Sequence, residues 1–368
     1  METAAPVLRE MDPFRRFTPT SPYGGKPFVS VTKGTTHNTF FIDWMFEQFR
    51  YGDLSNYHQM FDGLLSRFNS ELPCMGTPAL TSLRRFLEGD QVYDDDCLRF
   101  HTKNNPSGIF QKFELFDMTE AYASGILGAF TSPEDRVRKL QYMQYENIRV
   151  TMENVRRHKW YSSAILYWMY NDCWPASGWS IVDYYAVPKA AYYGFARTAK
   201  PVIASIAKEE GQYRVYLCND SLEDRAGEIT LCLTDTRGQI KWRRHARAKA
   251  KANSSQPVFF ADAQELDPLF GTDCLLLCDV SESLGGDRAL WIPDSIGSLK
   301  RPAPQVRVLS RTADSLTLQA DSFVLAACMD GEYVFSDNFF PMLPGEQRTV
   351  SLRPTLTHRQ EELLIYGM

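Results

Sequence analysis

Between Ser162 and Val202 the chain reads SSAILYWMYNDCWPASGWSIVDYYAVPKAAYYGFARTAKPV, and few folds accommodate that order of residues. Ala164 to Met169 is an apolar run of strand length with polar neighbours, the pattern of a fully buried strand. Asn171, Asp172, Trp174, Pro175 and Trp179 follow at once. Polar and aromatic groups thus collect just past the strand's C-terminal end, where parallel α/β sheets and barrels carry their ligand sites. Lys189 to Tyr193 then supplies helix formers and Pro201 stops them, giving strand, loop and helix in succession.

A second stretch, Leu64-Leu65-Ser66-Arg67-Phe68-Asn69-Ser70-Glu71-Leu72-Pro73, reads as a short strand ending in a carboxylate. In a parallel barrel that is the place of a catalytic acid. Upstream, residues 1 to 36 are rich in Pro, Gly and Ser and predict no regular structure. Downstream, Pro78 to Leu87 has helical spacing of leucines, and the acidic run Asp90 to Asp96 reads as a solvated loop. Ser132-Pro133-Glu134-Asp135 sets an N-cap, a proline and first-turn acids in the order that starts a helix, here running to about His158. After Pro201 the period changes to two: Tyr213 to Cys218, Glu228 to Leu233 and Leu275 to Leu277 read as strands, with turns at Asn219-Asp220 and Arg237-Gly238. Ser298 to Pro304 reads as a linker to a second β module from Val306, each module burying its own alternating face.

A length of 368 residues suits two or three domains. The net charge of -5 gives no electrostatic footprint for nucleic acid and is compatible with a neutral substrate. An aromatic share of 13% suits sugar rings, whose apolar C–H faces stack on flat side chains. The opening METAAPVLREMDPFRR has no apolar signal core, and no run approaches the roughly 20 apolar residues of a membrane span. A cytoplasmic protein without membrane contact is therefore expected. The eight cysteines are scattered without a CxxC pair, which predicts reduced structural thiols, and neither a metal nor any other cofactor is expected.

Trp168-x-x-Asn171-Asp172-x-Trp174-Pro175, then Trp179-Ser180-x-x-Asp183-Tyr184 and Pro188-Lys189-Ala190-Ala191-Tyr192-Tyr193, resembles the last barrel strand of the β-mannosidase-like branch of glycoside hydrolase family 2. Arg67-Phe68-x-Ser70-Glu71 is similar to the segment that carries the family's nucleophile, with Leu72-Pro73 in place of Phe-Gly. Gly34 and His37 match the Gly-Asp-x-His-x-Trp pattern of the fifth strand, while Thr35 and Thr39 depart from it. Asp12-Pro13-x-Arg15 and Thr20 to Gly25 resemble the loop after the fourth strand, and His101 to Gly108 a loop before the seventh. Tyr333 to Glu346, with Ser336-Asp337-Asn338, resembles the signature of the terminal Ig-like domain.

The resemblance implies a multidomain α/β plus all-β chain: the C-terminal half of a (β/α)8 TIM barrel over residues 1–200, with four strands, then two Ig-like β-sandwich domains at 201–299 and 300–368. It implies a retaining glycoside hydrolase acting on a β-mannoside or related β-glycoside. Glu71 would be the nucleophile, Trp174 the platform under the terminal sugar, Trp168, Asn171 and Asp172 the wall of the site, and His37 a substrate contact. The family's proton donor is the Glu of a Trp-x-x-Asn-Glu segment on the fourth strand, and no Asn-Glu pair occurs in this sequence. A truncated or split enzyme is expected, its partner an upstream chain that completes the barrel; the alternative is a non-catalytic carbohydrate-binding or scaffold protein.

Overall fold

The computed structural model describes residues 4–18, 20, 21, 23, 24, 34–37, 57–63, 65–102, 115–359 and 361–368. Its first element is a helix, α1 (Ala4–Met11), where no regular structure is expected. The breakers of the leader begin only at Pro13, and Pro6 sits in the first turn, where its missing N–H breaks no helical bond.

Strand β1 (Thr35–His37), helix α2 (Tyr57–Gly63), strand β2 (Phe68–Leu72) and, far along the chain, strand β3 (Ile165–Tyr167) follow. The strands form a parallel sheet in that order. Because β2 pairs directly with β3, the strand carrying Glu71 is the neighbour of the last strand, which corrects the placement of a seventh strand between them. Three parallel strands, not four, are present among the described residues. The resembling loop from Lys103 to Gly108 lies outside them. Nor is β3 fully buried: among the described residues it pairs only with β2, and Leu166 is exposed.

After β2 comes the single turn α3 (Leu80–Leu83). The acidic run is not a loop. It forms a 3-10 turn and helix α4 (Asp95–Phe100), whose N-cap Asp94 accepts from the Cys97 amide at 2.9 Å. Helix α5 (Leu115–Leu127) then leads into α6 (Pro133–Arg157), the longest element. Ser132 caps it, accepting from the Asp135 amide at 3.1 Å, and acids at the first turn and arginines at the last complement the helix dipole, as the sequence predicts.

A helix this rich in polar residues normally has a solvent-facing side. Helix α6 does not, because partners reach it from every direction. Arg149 pairs with Glu146 and with Glu153 at 2.8 Å, while the Tyr57 hydroxyl on α2 donates to Glu146 at 2.7 Å. Burial pushes Glu146 upward, yet the Arg149 guanidinium outweighs it and holds the carboxyl below its ordinary range. Near the C-terminal end Arg156 donates to the carbonyls of Thr198, Lys200, Pro201 and Cys218. Helix α7 (Ala190–Thr198), the one expected before Pro201, lies alongside.

Two sandwiches follow. In the first, strands β4 (Val202–Glu209), β5 (Gln212–Asn219), β6 (Arg225–Asp235), β7 (Ile240–Ala250), β8 (Ser254–Asp262), β9 (Cys274–Val280) and β10 (Arg288–Trp291) make sheets ordered β4-β5-β8 and β10-β9-β6-β7. Leu231, Leu276 and Val215 meet in the core between them. The run Leu275-Leu276-Leu277 is apolar throughout because β9 is covered on both faces: Leu276 enters the sandwich, while Leu275 and Leu277 join a cluster shared with α5 and α6.

The second sandwich comprises β11 (Val306–Arg311), β12 (Ser315–Ala320), β13 (Val324–Gly331), β14 (Tyr333–Phe335), β15 (Phe340–Met342), β16 (Gln347–Pro354) and β17 (Leu363–Gly367), in sheets β11-β12-β16-β14 and β15-β13-β17. Its core is not separate, since Phe340, Val324 and Leu318 belong to the same cluster as Tyr122, Tyr145 and Tyr193 of the helices. Polar contacts reinforce the seam. Asp330 caps α3, accepting from the amides of Leu80 and Thr81 at 2.6 and 3.1 Å. Asp337 takes Arg197 of α7 at 2.6 Å, and Tyr366 donates to Gln141 of α6 at 2.6 Å. Asn338, beside Asp337, bonds both the amide and the carbonyl of Met329. The linker is fastened too: the Lys300 amide donates to Thr272 and its carbonyl accepts from Thr236.

A polypeptide starting at Pro201 therefore keeps the core of the first sandwich but uncovers Leu275, Leu277 and the helix-facing side of the second. Such a product is expected to bind an apolar dye and to self-associate in sedimentation, whereas a monomeric, dye-silent product with a sharp thermal transition would show that the sandwiches are self-sufficient.

Candidate functional site

The C-terminal ends of the parallel strands meet at one level. His37 is the register partner of Glu71 on β1 and β2, and Leu72 is the partner of Tyr167 on β2 and β3. The Trp168 amide donates to the Leu72 carbonyl at 3.1 Å, so Trp168 leaves the sheet beside the residue that follows Glu71. Leu72 packs among Ile148, Met152 and Ala191 of the helical layer, whereas Glu71, in the irregular stretch of the pairing between Asn69 and Leu72, is half-buried. Trp168 is 46% exposed, and its peptide bond to Met169 is cis. The His37 side chain lies outside the described residues.

Beyond β3 the chain makes a loop over residues 170–188 that carries Asn171 and Trp174. Asn171 is exposed and Trp174 is 41% exposed, so both present surface to a ligand. Asp172 does not. It is buried and accepts from the Ser180 hydroxyl, which makes it a support of the loop and corrects its expected place on the open wall.

The loop is held from several sides. Gly178 exchanges backbone hydrogen bonds with Gly76, just past β2, at 3.1 and 3.2 Å. Its carbonyl also accepts from the buried Lys189 ammonium at 2.7 Å. Gln144 on α6 donates to the Cys74 carbonyl at 2.9 Å and the Ser180 carbonyl at 3.2 Å, tying the segments after β2 and β3 to one side chain. A Cβ at Gly76 would stand 2.3 Å from Gln144, so the close approach requires glycine. His101 adds Nδ1 to the Pro175 carbonyl at 3.1 Å.

At the far end of the loop Asp183 is buried, and its Oδ1 accepts from the amides of Tyr185 and Val187 at 2.8 and 2.9 Å. Desolvation pushes its carboxyl up to about 6 in spite of these donors. The residues that hold the loop, Gln144, Ser180, Asp183 and Lys189, were not expected at the site. Three of them stand in the motif read from the sequence, where nothing local separates a supporting polar residue from one that faces a ligand.

Among the described residues, no group of His, Cys, Asp or Glu could hold a metal ion and no helix is long and apolar enough to cross a membrane. All eight cysteines are free thiols.

A carboxylate at the C-terminal end of a parallel sheet, a tryptophan-bearing loop after β3 and two following sandwiches make up one multidomain chain. Residues 211–282 match the family described as the mannosidase Ig/CBM-like domain, and residues 300–367 the mannosidase family's Ig-fold domain. β-Mannosidase B of Aspergillus flavus is 30% identical over 216 residues, 57% of this chain and 24% of that protein. The exo-β-D-glucosaminidase of Hypocrea jecorina is 28% identical over 305 residues, 77% of this chain and 32% of that one. Among solved structures, the β-D-mannosidase from Dictyoglomus thermophilum is similar over 98% of this chain and 43% of its own, with a TM-score of 0.79 at 23% identity. The last two domains of the chain thus match mannosidase domain families, and its sequence is similar to part of a β-mannosidase and of an exo-β-D-glucosaminidase. It spans about a quarter to a third of the length of the curated relatives it matches.

The raised Asp183 carboxyl has a consequence for stability. A carboxyl whose folded value lies above its unfolded one favours the fold below about pH 4 and loses that contribution as pH rises through about 6. Asp183→Asn keeps an acceptor for both amides without the buried charge. Relative to the parent it is expected to gain about 2 to 3 kcal/mol between pH 4 and pH 7 in urea denaturation. Parallel stability profiles for the two proteins would refute the assignment.

Proposed function

We propose that residues 1–200 form the C-terminal half of a (β/α)8 barrel, that the sandwiches are Ig-like domains over 201–299 and 300–368, and that the chain provides the nucleophile side of a retaining β-mannosidase-like glycoside hydrolase. The observation that carries this reading is the place of Glu71, at the C-terminal end of a parallel strand whose neighbour runs directly into Trp168. The named relatives support the reaction class and a carbohydrate substrate with a β-linked terminal sugar.

In such a site the Glu71 carboxylate attacks the anomeric carbon and forms a glycosyl ester as the leaving oxygen takes a proton from a second carboxyl about 5 to 5.5 Å away. Water then releases the sugar, the second group acting as base. Trp174 and Trp168 offer aromatic surface to the sugar, Asn171 and His37 offer hydrogen bonds to its hydroxyls, and Asp172 acts through Ser180 on the loop. The chemistry needs carboxyl groups and no cofactor. The second carboxyl comes from a segment with an Asn-Glu pair on a partner chain or segment that completes the barrel.

Joined to a segment carrying Trp-x-x-Asn-Glu, the chain is expected to hydrolyse an aryl β-mannoside, and Glu71→Gln to abolish glycosyl-enzyme formation. The chain by itself is expected to lack turnover, since a general acid contributes about 10² to 10⁴-fold. Undiminished turnover in Glu71→Gln, or robust hydrolysis by the chain alone, would overturn this assignment.

A further inference from the structure

The loop that carries Asn171 and Trp174 continues along the second sandwich, and the two enclose a groove of about 410 Å³. Clefts that hold small molecules measure about 300 to 1,000 Å³. The loop contributes Tyr170, Asn171, Tyr184 and, where α7 begins, Tyr192; the sandwich contributes Arg353 of β16 and Leu356 of the turn after it. Tyr170 is 67% exposed and Tyr184 49%, so two large rings stand open to solvent in one groove. Arg353 is exposed as well, and it pairs with no carboxylate among the described residues.

The Tyr184 side of this wall is braced by contacts within the protein. Tyr184 stands edge-on to Tyr185, with ring centres 5.2 Å apart. The Tyr185 ring carries the Arg85 guanidinium at 3.8 Å, and Arg85 is fixed by a buried ion pair with Glu332 at 3.0 Å. The Tyr185 carbonyl accepts from the Thr357 hydroxyl of the sandwich. Ala186 adopts a left-handed φ of 61°, costly for a residue with a Cβ, and the Asp183 carboxylate holds that turn by its two amide bonds. Binding surfaces organised in this way lose little entropy on engagement.

We propose that the groove is a saccharide-binding site that takes the units of a β-linked oligosaccharide beyond its terminal sugar, with Tyr170 and Tyr184 stacking on their apolar faces and Arg353 donating to their hydroxyls. Two exposed rings suit the C–H faces of pyranoses, and the exposed guanidinium supplies a fork of donors. The ligand class rests on the glycoside hydrolase reading above; the groove itself does not depend on Glu71. It makes the second sandwich part of substrate recognition.

The test is calorimetric titration of the full chain with β-1,4-mannotetraose and with mannose. The tetraose is expected to bind at least about tenfold more tightly than mannose, and Tyr184→Ala and Arg353→Ala each to weaken the tetraose about tenfold while mannose is unchanged. Tyr184→Phe keeps the ring and is expected to stay within about twofold of the parent, which separates loss of the stacking surface from loss of folding. Tetraose binding no tighter than mannose, or unaffected by Tyr184→Ala and Arg353→Ala, overturns the proposal whether or not Glu71 proves to be the nucleophile. Conversely, an active Glu71→Gln complex sinks the catalytic assignment and leaves these titrations as they stand.

Discussion

Arg149 sits between Glu146 and Glu153 on a helix with almost no solvent-facing side, and the other elements are arranged to satisfy that charge cluster. Buried ion pairs add little net stability against an apolar replacement, but removing one partner costs about 3 to 5 kcal/mol because a bare charge is left inside. The consequence is positional. Tyr57 must bring α2 against Glu146, and Ser205 must bring β4 against Glu153, where it donates at 2.8 Å while accepting from Arg157 at 2.7 Å. A helix held by apolar contacts alone could slide or rotate by part of a turn; this one has a single register.

What could be read in the sequence was what local rules decide. Ser132-Pro133-Glu134-Asp135 starts a helix whatever lies around it, and the alternation from Tyr213 to Cys218 specifies a half-buried strand from its own side chains. The failures are positions where a distant partner decides. Ala164 to Met169 has the composition of an interior strand, but among the described residues its β3 segment pairs on one side only. The acids from Asp90 to Asp96 are exposed, as the sequence predicts, but the segment is helical where a loop is expected, and Asp95 there meets the distant Arg136 at 2.7 Å. The breadth of burial on α6 was illegible for the same reason, since its polar side chains are answered by residues as far off as Tyr57, Ser205 and Tyr366.

The candidate site divides along similar lines. Glu71, Trp168, Asn171 and Trp174 stand where a strand's end and its following loop put them. Asp172, Ser180, Asp183 and Lys189 share the same motif and point the other way, into the body that holds the loop. A motif of this kind records two demands at once: groups that can meet a ligand, and a backbone stiff enough to keep them in place. Spacing alone does not separate them.

The fastened linker bears on how such chains can be assembled by recombination. Residues between the sandwiches have the composition of a hinge, and a crossover there looks harmless on the sequence. It would in fact part Asp330 from the helix it caps, Asp337 from Arg197 and Tyr366 from Gln141. The last sandwich is thus inherited with the helical layer hundreds of residues before it, and the block that can be exchanged intact between related genes is discontinuous along the chain.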